Sequence, residues 1–214
     1  MPADPTDRSL TRRSFLAGAG GVAAGGVLAG APLAAAQEEQ KDVGSRPLRG
    51  EVSIALSVNG ERRELRVEPR TTLLSALRWH LSPPLTGTKD VCDRGNCGAC
   101  TVLVDRRPAY ACLLLAVDLV GRDVVTVEGI GAPSELSPVQ QAFCEHDASM
   151  CGFCTPGFVV ATTACLERNP RADRDEIRRE LSGNLCRCGT YPHLFEAARE
   201  AGTRMAEAGR GEDR

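Results

Sequence analysis

The sequence predicts an α+β chain: a small sheet wrapped on one helix, then a small all-α unit of four short helices. Three observations carry that reading. In the first half of the chain apolar and polar residues alternate at the period of a strand. Between those strands a single stripe of leucines has helical spacing. Beyond residue 138 the alternation stops, and short stretches follow that each open on a capping residue or a proline.

The elements follow in order. Val52, Ile54, Leu56 and Val58 alternate with Ser53, Ala55 and Ser57, as in a half-buried strand. Asn59-Gly60 is a hairpin turn signal, because both residues tolerate positive φ. Leu65 and Val67 continue into a second strand, which Pro69 stops. Thr71 or Thr72 caps a short helix with Leu73, Leu74, Leu77 and Leu81 on one face, and Pro83-Pro84 end it. After a loop rich in glycine and cysteine, residues 101–104, 108–112 and 124–127 read as further short strands. Residues 129–138 punctuate the chain and link its two parts. Ser137, with Pro138 at the first helical position, opens a helix running towards His146. Thr155-Pro156 opens a second before residues 158–166, Asp173 a third with Ile177 and Leu181, and Pro192 a fourth with Leu194, Phe195 and Ala198. The expected domains are therefore 51–130 for the sheet and 134–208 for the helices.

The N-terminus reads differently. Arg12 and Arg13 stand just before Phe15 and Leu16, no residue from Phe15 to Ala36 is charged, and Ala34-Ala35-Ala36 offers a cleavage site before Gln37. Residues 1–36 resemble a twin-arginine export signal, and the polar residues 37–50 a linker. The uncharged run is long enough to span a bilayer, but its glycines and Pro32 make it a poor permanent span. The expectation is a periplasmic protein, exported folded, with the signal removed and no permanent membrane span.

Hydrophobic residues make up 42% of the chain, charged ones 25%, and the formal net charge is -2. That balance excludes a basic nucleic-acid surface and an acidic tail. Ten cysteines against three histidines require either a disulfide scaffold or a metal protein. Export of a chain already folded in the reducing cytosol favours thiolates held by a metal.

The first thiols lie in CDRGNCGAC, with Cys92, Cys97 and Cys100, and eleven residues separate the last of these from Cys112. C-x4-C-x2-C is the spacing of plant-type 2Fe–2S ferredoxins. Four thiolates must converge on two irons, so the loop has to curl with its side chains inward. Gly95 and Gly98 permit the dihedrals and let amides approach the sulfurs, where they tune the potential. Zinc is the competing reading, since CxxC is common in its sites. The second set pairs CGFC, Cys151 and Cys154, with CRC, Cys186 and Cys188, across 31 residues. Alone it could be a zinc site; beside a ferredoxin loop it points to a second iron–sulfur cluster. Cys144 and Cys165 remain, each next to apolar residues on a helix, and read as buried small hydrophobes. His146 and His193 lie near the clusters in sequence, but both quartets are complete without them.

TGTKDVCDRGNCGACTVLVD, CGFCTPG and GNLCRCGTYPHL resemble the signatures of the iron–sulfur subunit of the molybdenum hydroxylases, the xanthine oxidase and aldehyde oxidoreductase family. The resemblance covers roughly residues 51–205. It implies a β-grasp ferredoxin-like domain followed by a four-helix domain, each with one 2Fe–2S cluster. Cys92, Cys97, Cys100 and Cys112 match the ferredoxin-type ligands, and Cys151, Cys154, Cys186 and Cys188 those of the helical domain. It further implies a large partner subunit carrying molybdenum-molybdopterin, which oxidises an aldehyde or N-heterocycle. Electrons would enter at the helical-domain cluster and leave through the other, to a flavin subunit with FAD or to a haem cytochrome. This chain would supply no catalytic residue. Two features depart from the family: Met150 stands where many members have a pterin-contacting Gln, and CRCGTY replaces CRCTGY. Beside CGFC, Gly152 and Gly157 leave little bulk, so a partner could approach there; Lys89, Asp90, Asp93 and Arg94 would rim the first cluster with charge. The rival reading is a free-standing ferredoxin-type carrier moving between soluble partners.

Overall fold

The computed structural model describes residues 47–212, so the signal-like segment and most of the linker lie outside the described residues. β1 (Val52–Val58) and β2 (Glu61–Val67) form the expected hairpin, Val58 opposite Glu61, and Asn59 and Gly60 take φ of 54° and 77°. Thr72 caps the next helix, its hydroxyl accepting the Ser75 amide at 3.2 Å. This helix, α1 (Leu73–Ser75), opens at once into a π turn (Ala76–His80). Leu85 folds back to donate to the Leu77 carbonyl at 2.9 Å. Leu73, Leu74 and Leu77 are buried as their stripe predicts, and Leu81 joins them from beyond the last turn.

β3 (Thr101–Val104), β4 (Arg107–Tyr110) and β5 (Asp123–Val125) complete a mixed five-stranded sheet in the order β2-β1-β5-β3-β4. β5 lies parallel to β1 and antiparallel to β3. β4 stops at Tyr110, and a 3-10 turn (Ala111–Leu113) then carries Cys112 into the core. β5 ends before Thr126 because the side-chain oxygen of Asn59 takes the Thr126 amide at 2.8 Å, drawing it off the ladder. A single helical turn, α2 (Val127–Ile130), follows and takes Val127 from the end of the expected strand.

The remaining elements are helical: α3 (Pro138–Glu145), α4 (Thr155–Arg168), α5 (Arg174–Glu180) and α6 (Tyr191–Glu212). Ser137 and Gln140 make a reciprocal capping box on α3, and the Asp173 carboxylate accepts the Glu176 amide at 2.7 Å at the start of α5. α4 starts three residues earlier than the apolar run, at Thr155, with Pro156 in its first turn. α6 is longer than expected: Met205 still packs on the helical core, and Arg204 pairs with Glu145 and, at 3.1 Å, with Glu200.

Two cores result. Leu56, Leu73, Leu77 and Val102 sit between α1 and the sheet, and Val139, Phe158, Leu166, Ile177 and Leu194 sit among the helices. β3 joins them: Val102 and Val104 face the first core, while Leu103 packs on Val160 and Ala164 of α4. Every residue of β3 is buried for that reason. Each large side chain fully buried in this way contributes about 1.5–3 kcal/mol. Among the described residues no helix is long and apolar enough to cross a membrane.

Candidate metal centres

The loop between the π turn and β3 carries Cys92, Cys97 and Cys100. Positive φ at Asp93 (48°), Gly95 (72°) and Gly98 (69°) curls it back on itself. The thiols of Cys92 and Cys97 come within hydrogen-bonding reach of each other, as do those of Cys100 and Cys112. Amides point at these sulfurs: Gly95 donates to Cys112 Sγ at 3.3 Å and Asn96 to Cys92 Sγ at 3.4 Å. The thiols are electrostatically unequal. Burial works to raise Cys92, but the amides of Arg94, Asn96 and Cys97 outweigh it and bring the group to about 7. Burial, with Cys112 beside it, pushes Cys100 up to about 12. The Tyr110 hydroxyl is raised too, by burial first and then by all four of these sulfurs.

The second set gathers where α4 begins and the chain returns before α6. Cys154 pairs with Cys186 and Cys151 with Cys188, on turns whose Gly152 and Gly189 take φ of 77° and 86°. Burial opposes ionisation of Cys186, yet the Thr190 hydroxyl and amide, the Cys154 thiol and the Gly189 amide lower it to about 7. Burial and the Cys186 thiol push Cys154 up to about 12. Tyr191 Oη accepts the Cys186 amide at 2.8 Å. Cys186 is buried, Cys154 half-buried, and Cys151 and Cys188 are exposed.

The structure thus sorts the eight thiols into four pairs, two in each group. All ten cysteines are free thiols. Among the described residues no three Cys, His, Asp or Glu converge on one point closely enough to hold a single ion. Two bridged irons need two thiolates each, and paired thiols with amides aimed at the sulfurs fit that group.

Three expectations change. Cys165 is buried, but Cys144 is exposed. Gly157 is buried against the first thiol loop, because the opening turn of α4 faces β3, so only Gly152 lies open. Lys89 is no free rim charge: its ammonium lies 5.7 Å from the Phe153 ring centroid, across from CGFC. His193 is exposed, as expected of a residue outside the two complete quartets, and its Nδ1 faces the His146 carbonyl at 2.9 Å. Sequence reasoning also missed Tyr110, Asn184 and Tyr191 as supports of the sites, although the last two stand inside the GNLCRCGTYPHL signature.

Comparison with known proteins agrees with this geometry. Residues 56–116 match the 2Fe-2S iron-sulfur cluster binding domain family, and residues 126–199 the [2Fe-2S] binding domain family. The aldehyde oxidoreductase iron-sulfur-binding subunit PaoA of Escherichia coli O157:H7 is 40% identical over 213 residues, covering 92% of this chain and 90% of that protein. The nicotine 6-hydroxylase small subunit of Paenarthrobacter nicotinovorans is 45% identical over 150 residues, 70% of this chain and 89% of that one. In the crystal structure of quinoline 2-oxidoreductase from Pseudomonas putida 86, one chain superposes with a TM-score of 0.70 at 41% identity, over 74% of this chain and 98% of that one. Paired thiols in two 2Fe–2S domains, and identity that runs along nearly the whole of such subunits, place this chain among the iron–sulfur, electron-transfer subunits of the molybdenum hydroxylases.

Proposed function

We propose that Cys92, Cys97, Cys100 and Cys112 hold one 2Fe–2S cluster and Cys151, Cys154, Cys186 and Cys188 the other. The observation that carries this is the sorting of eight thiols into four close pairs, two in each group. When bound, such clusters store and pass single electrons. The rest is the work of the chain. Its mixed sheet, a β-grasp over 51–130, holds the first loop, and a four-helix domain over 134–208 holds the second; the two separate cores support that division.

The partner-facing edge is the second site. Cys151 and Cys188 are exposed there, and so are Met150, Phe153 and Leu185. A Cβ at Gly152 would meet nothing nearer than Ser149 Oγ at 3.7 Å, so a partner's backbone has room to approach. Exposed apolar groups beside a redox site suit a lasting contact with a large molybdenum-cofactor subunit. Met150 has no hydrogen-bond donor in its side chain, so a hydrogen bond to the pterin at this position comes from backbone or is absent. Asp90, Asp93 and Arg94 are exposed at the first site, which faces a flavin subunit or a cytochrome.

The substrate class is an aldehyde or an N-heterocycle, the two classes named among the relatives, and the partner subunit binds it. Similarity to the aldehyde oxidoreductase subunit covers 92% of the chain, against 70% for the nicotine 6-hydroxylase small subunit, and so reaches into the N-terminal segment. Residues 1–36 direct export of the folded protein to the periplasm. Arg12→Lys with Arg13→Lys should leave the cluster-loaded protein in the cytoplasm on fractionation; unchanged periplasmic levels would contradict the signal. The subunit role is tested by purifying the tagged chain from its own host at high salt. Molybdenum and a flavin or haem subunit should elute with it, whereas a chain that elutes alone and brown is a free-standing carrier.

A further inference from the structure

The segments that carry the two thiol groups touch, and the contact is built in an unusual way. Asn184, two residues before Cys186, is only 5% exposed. Its side-chain amide donates to the Gly98 carbonyl at 2.9 Å and to Thr101 Oγ1 at 3.2 Å, and Gly98 is the residue after Cys97. Beside it the Leu185 amide donates to the Cys97 carbonyl at 2.9 Å.

The backbones come this close because side chains are missing from them. A Cβ at Gly98 would lie 2.5 Å from the Gly183 carbonyl oxygen and 2.7 Å from Asn184 Nδ2. One at Gly157, three residues after Cys154, would fall on the Gly98 carbonyl oxygen and lie 3.2 Å from the Ala99 Cα. Neither obstacle is the flexible end of a long side chain, so neither can move aside cheaply. Gly98 also has a φ of 69°, which disfavours any other residue. Apolar packing alone would hold two surfaces together but leave them free to slide. An amide held by two fixed acceptors sets register as well as distance, and its burial makes a lost bond costly.

We propose that Asn184 is a positioning residue that sets the separation of the two iron–sulfur sites, with Gly98 and Gly157 as the spacer that lets it reach. The proposal rests on the ligand reading above. Electron tunnelling falls steeply with distance, so a methyl group's width at this seam would matter to transfer between the sites while leaving each site's own ligands in place.

The test uses the complete complex, reduced chemically so that both clusters are paramagnetic. Magnetic coupling between two such centres falls with the cube of their separation, and it appears as splitting of their resonance lines. Asn184→Ala should keep the iron and sulfide content and the principal g values of each cluster but narrow the splitting. Gly157→Ala, which pushes on the Gly98 carbonyl from the other side, should narrow it too. Unchanged splitting in fully loaded Asn184→Ala overturns the proposal. If that variant loses iron, unchanged splitting in Gly157→Ala overturns it, and loss of iron from both makes the seam a folding element and overturns it as well. A wild-type complex without two cluster signals refutes the ligand reading instead, so the two failures are distinguishable.

Discussion

Cys144 and Cys165 sit on α3 and α4, each beside an apolar neighbour in the chain, and have opposite fates. Phe143 is buried, and the next residue on a helix is turned by about 100°, which carries Cys144 out to solvent. Cys165 falls on the side of α4 that packs in the helical core. Burial, followed by the carboxylates of Glu180 and Glu176, raises its thiol to about 11, and only a thiolate is an effective nucleophile. In the native, cluster-loaded chain a maleimide should therefore label Cys144 and spare Cys165 until the protein is denatured; peptide mapping reads the result. Native labelling of Cys165 would show that the helical core is not closed around it. Chain neighbours alone could not separate these two thiols, because one helical position decides between core and water. Lys89 carries the same lesson. Its charge reads as a rim residue in the sequence, and only the fold brings Phe153 underneath it.

Elements were legible where a local bond defines their start. Thr72, Ser137 and Asp173 each cap the helix they were expected to cap, with the side-chain oxygen accepting an amide three residues on. Ends were harder to read. β5 stops short because Asn59, far away in sequence, takes the Thr126 amide, and α6 runs on because Arg204 and Met205 find partners on the helical core. No periodicity encodes such contacts. The caps also carry measurable energy. Ser137→Ala removes one arm of a reciprocal pair, in which the Gln140 amide reaches Ser137 Oγ at 3.2 Å and the Ser137 amide reaches Gln140 Oε1 at 2.9 Å. It should destabilise the protein by about 1 kcal/mol, seen as a lower denaturant midpoint at constant slope. An unchanged midpoint would mean that α3 is held by packing alone.

For the molecule as a whole, the cysteine spacings announce both sites, and the change from alternation to helix caps announces two architectures in sequence. What joins them is not announced. The Asn184 amide meets the Gly98 carbonyl across 86 residues, and Leu103 finds Val160 and Ala164 on the far side of the sheet. Such contacts arise from folding two motif-bearing segments against each other, which spacing within either motif cannot reveal. The joined arrangement is what an electron-transfer subunit requires: one site open to a partner at Cys151 and Cys188, and the other a single backbone contact away. Two clusters on one chain are the claim on which everything else depends. Its most direct test is metal and sulfide analysis of the purified chain, together with electron paramagnetic resonance after reduction. The account predicts four irons and four inorganic sulfides, two of each per 2Fe–2S domain, and two distinguishable signals. Two irons with one signal, or zinc in either site, would contradict it.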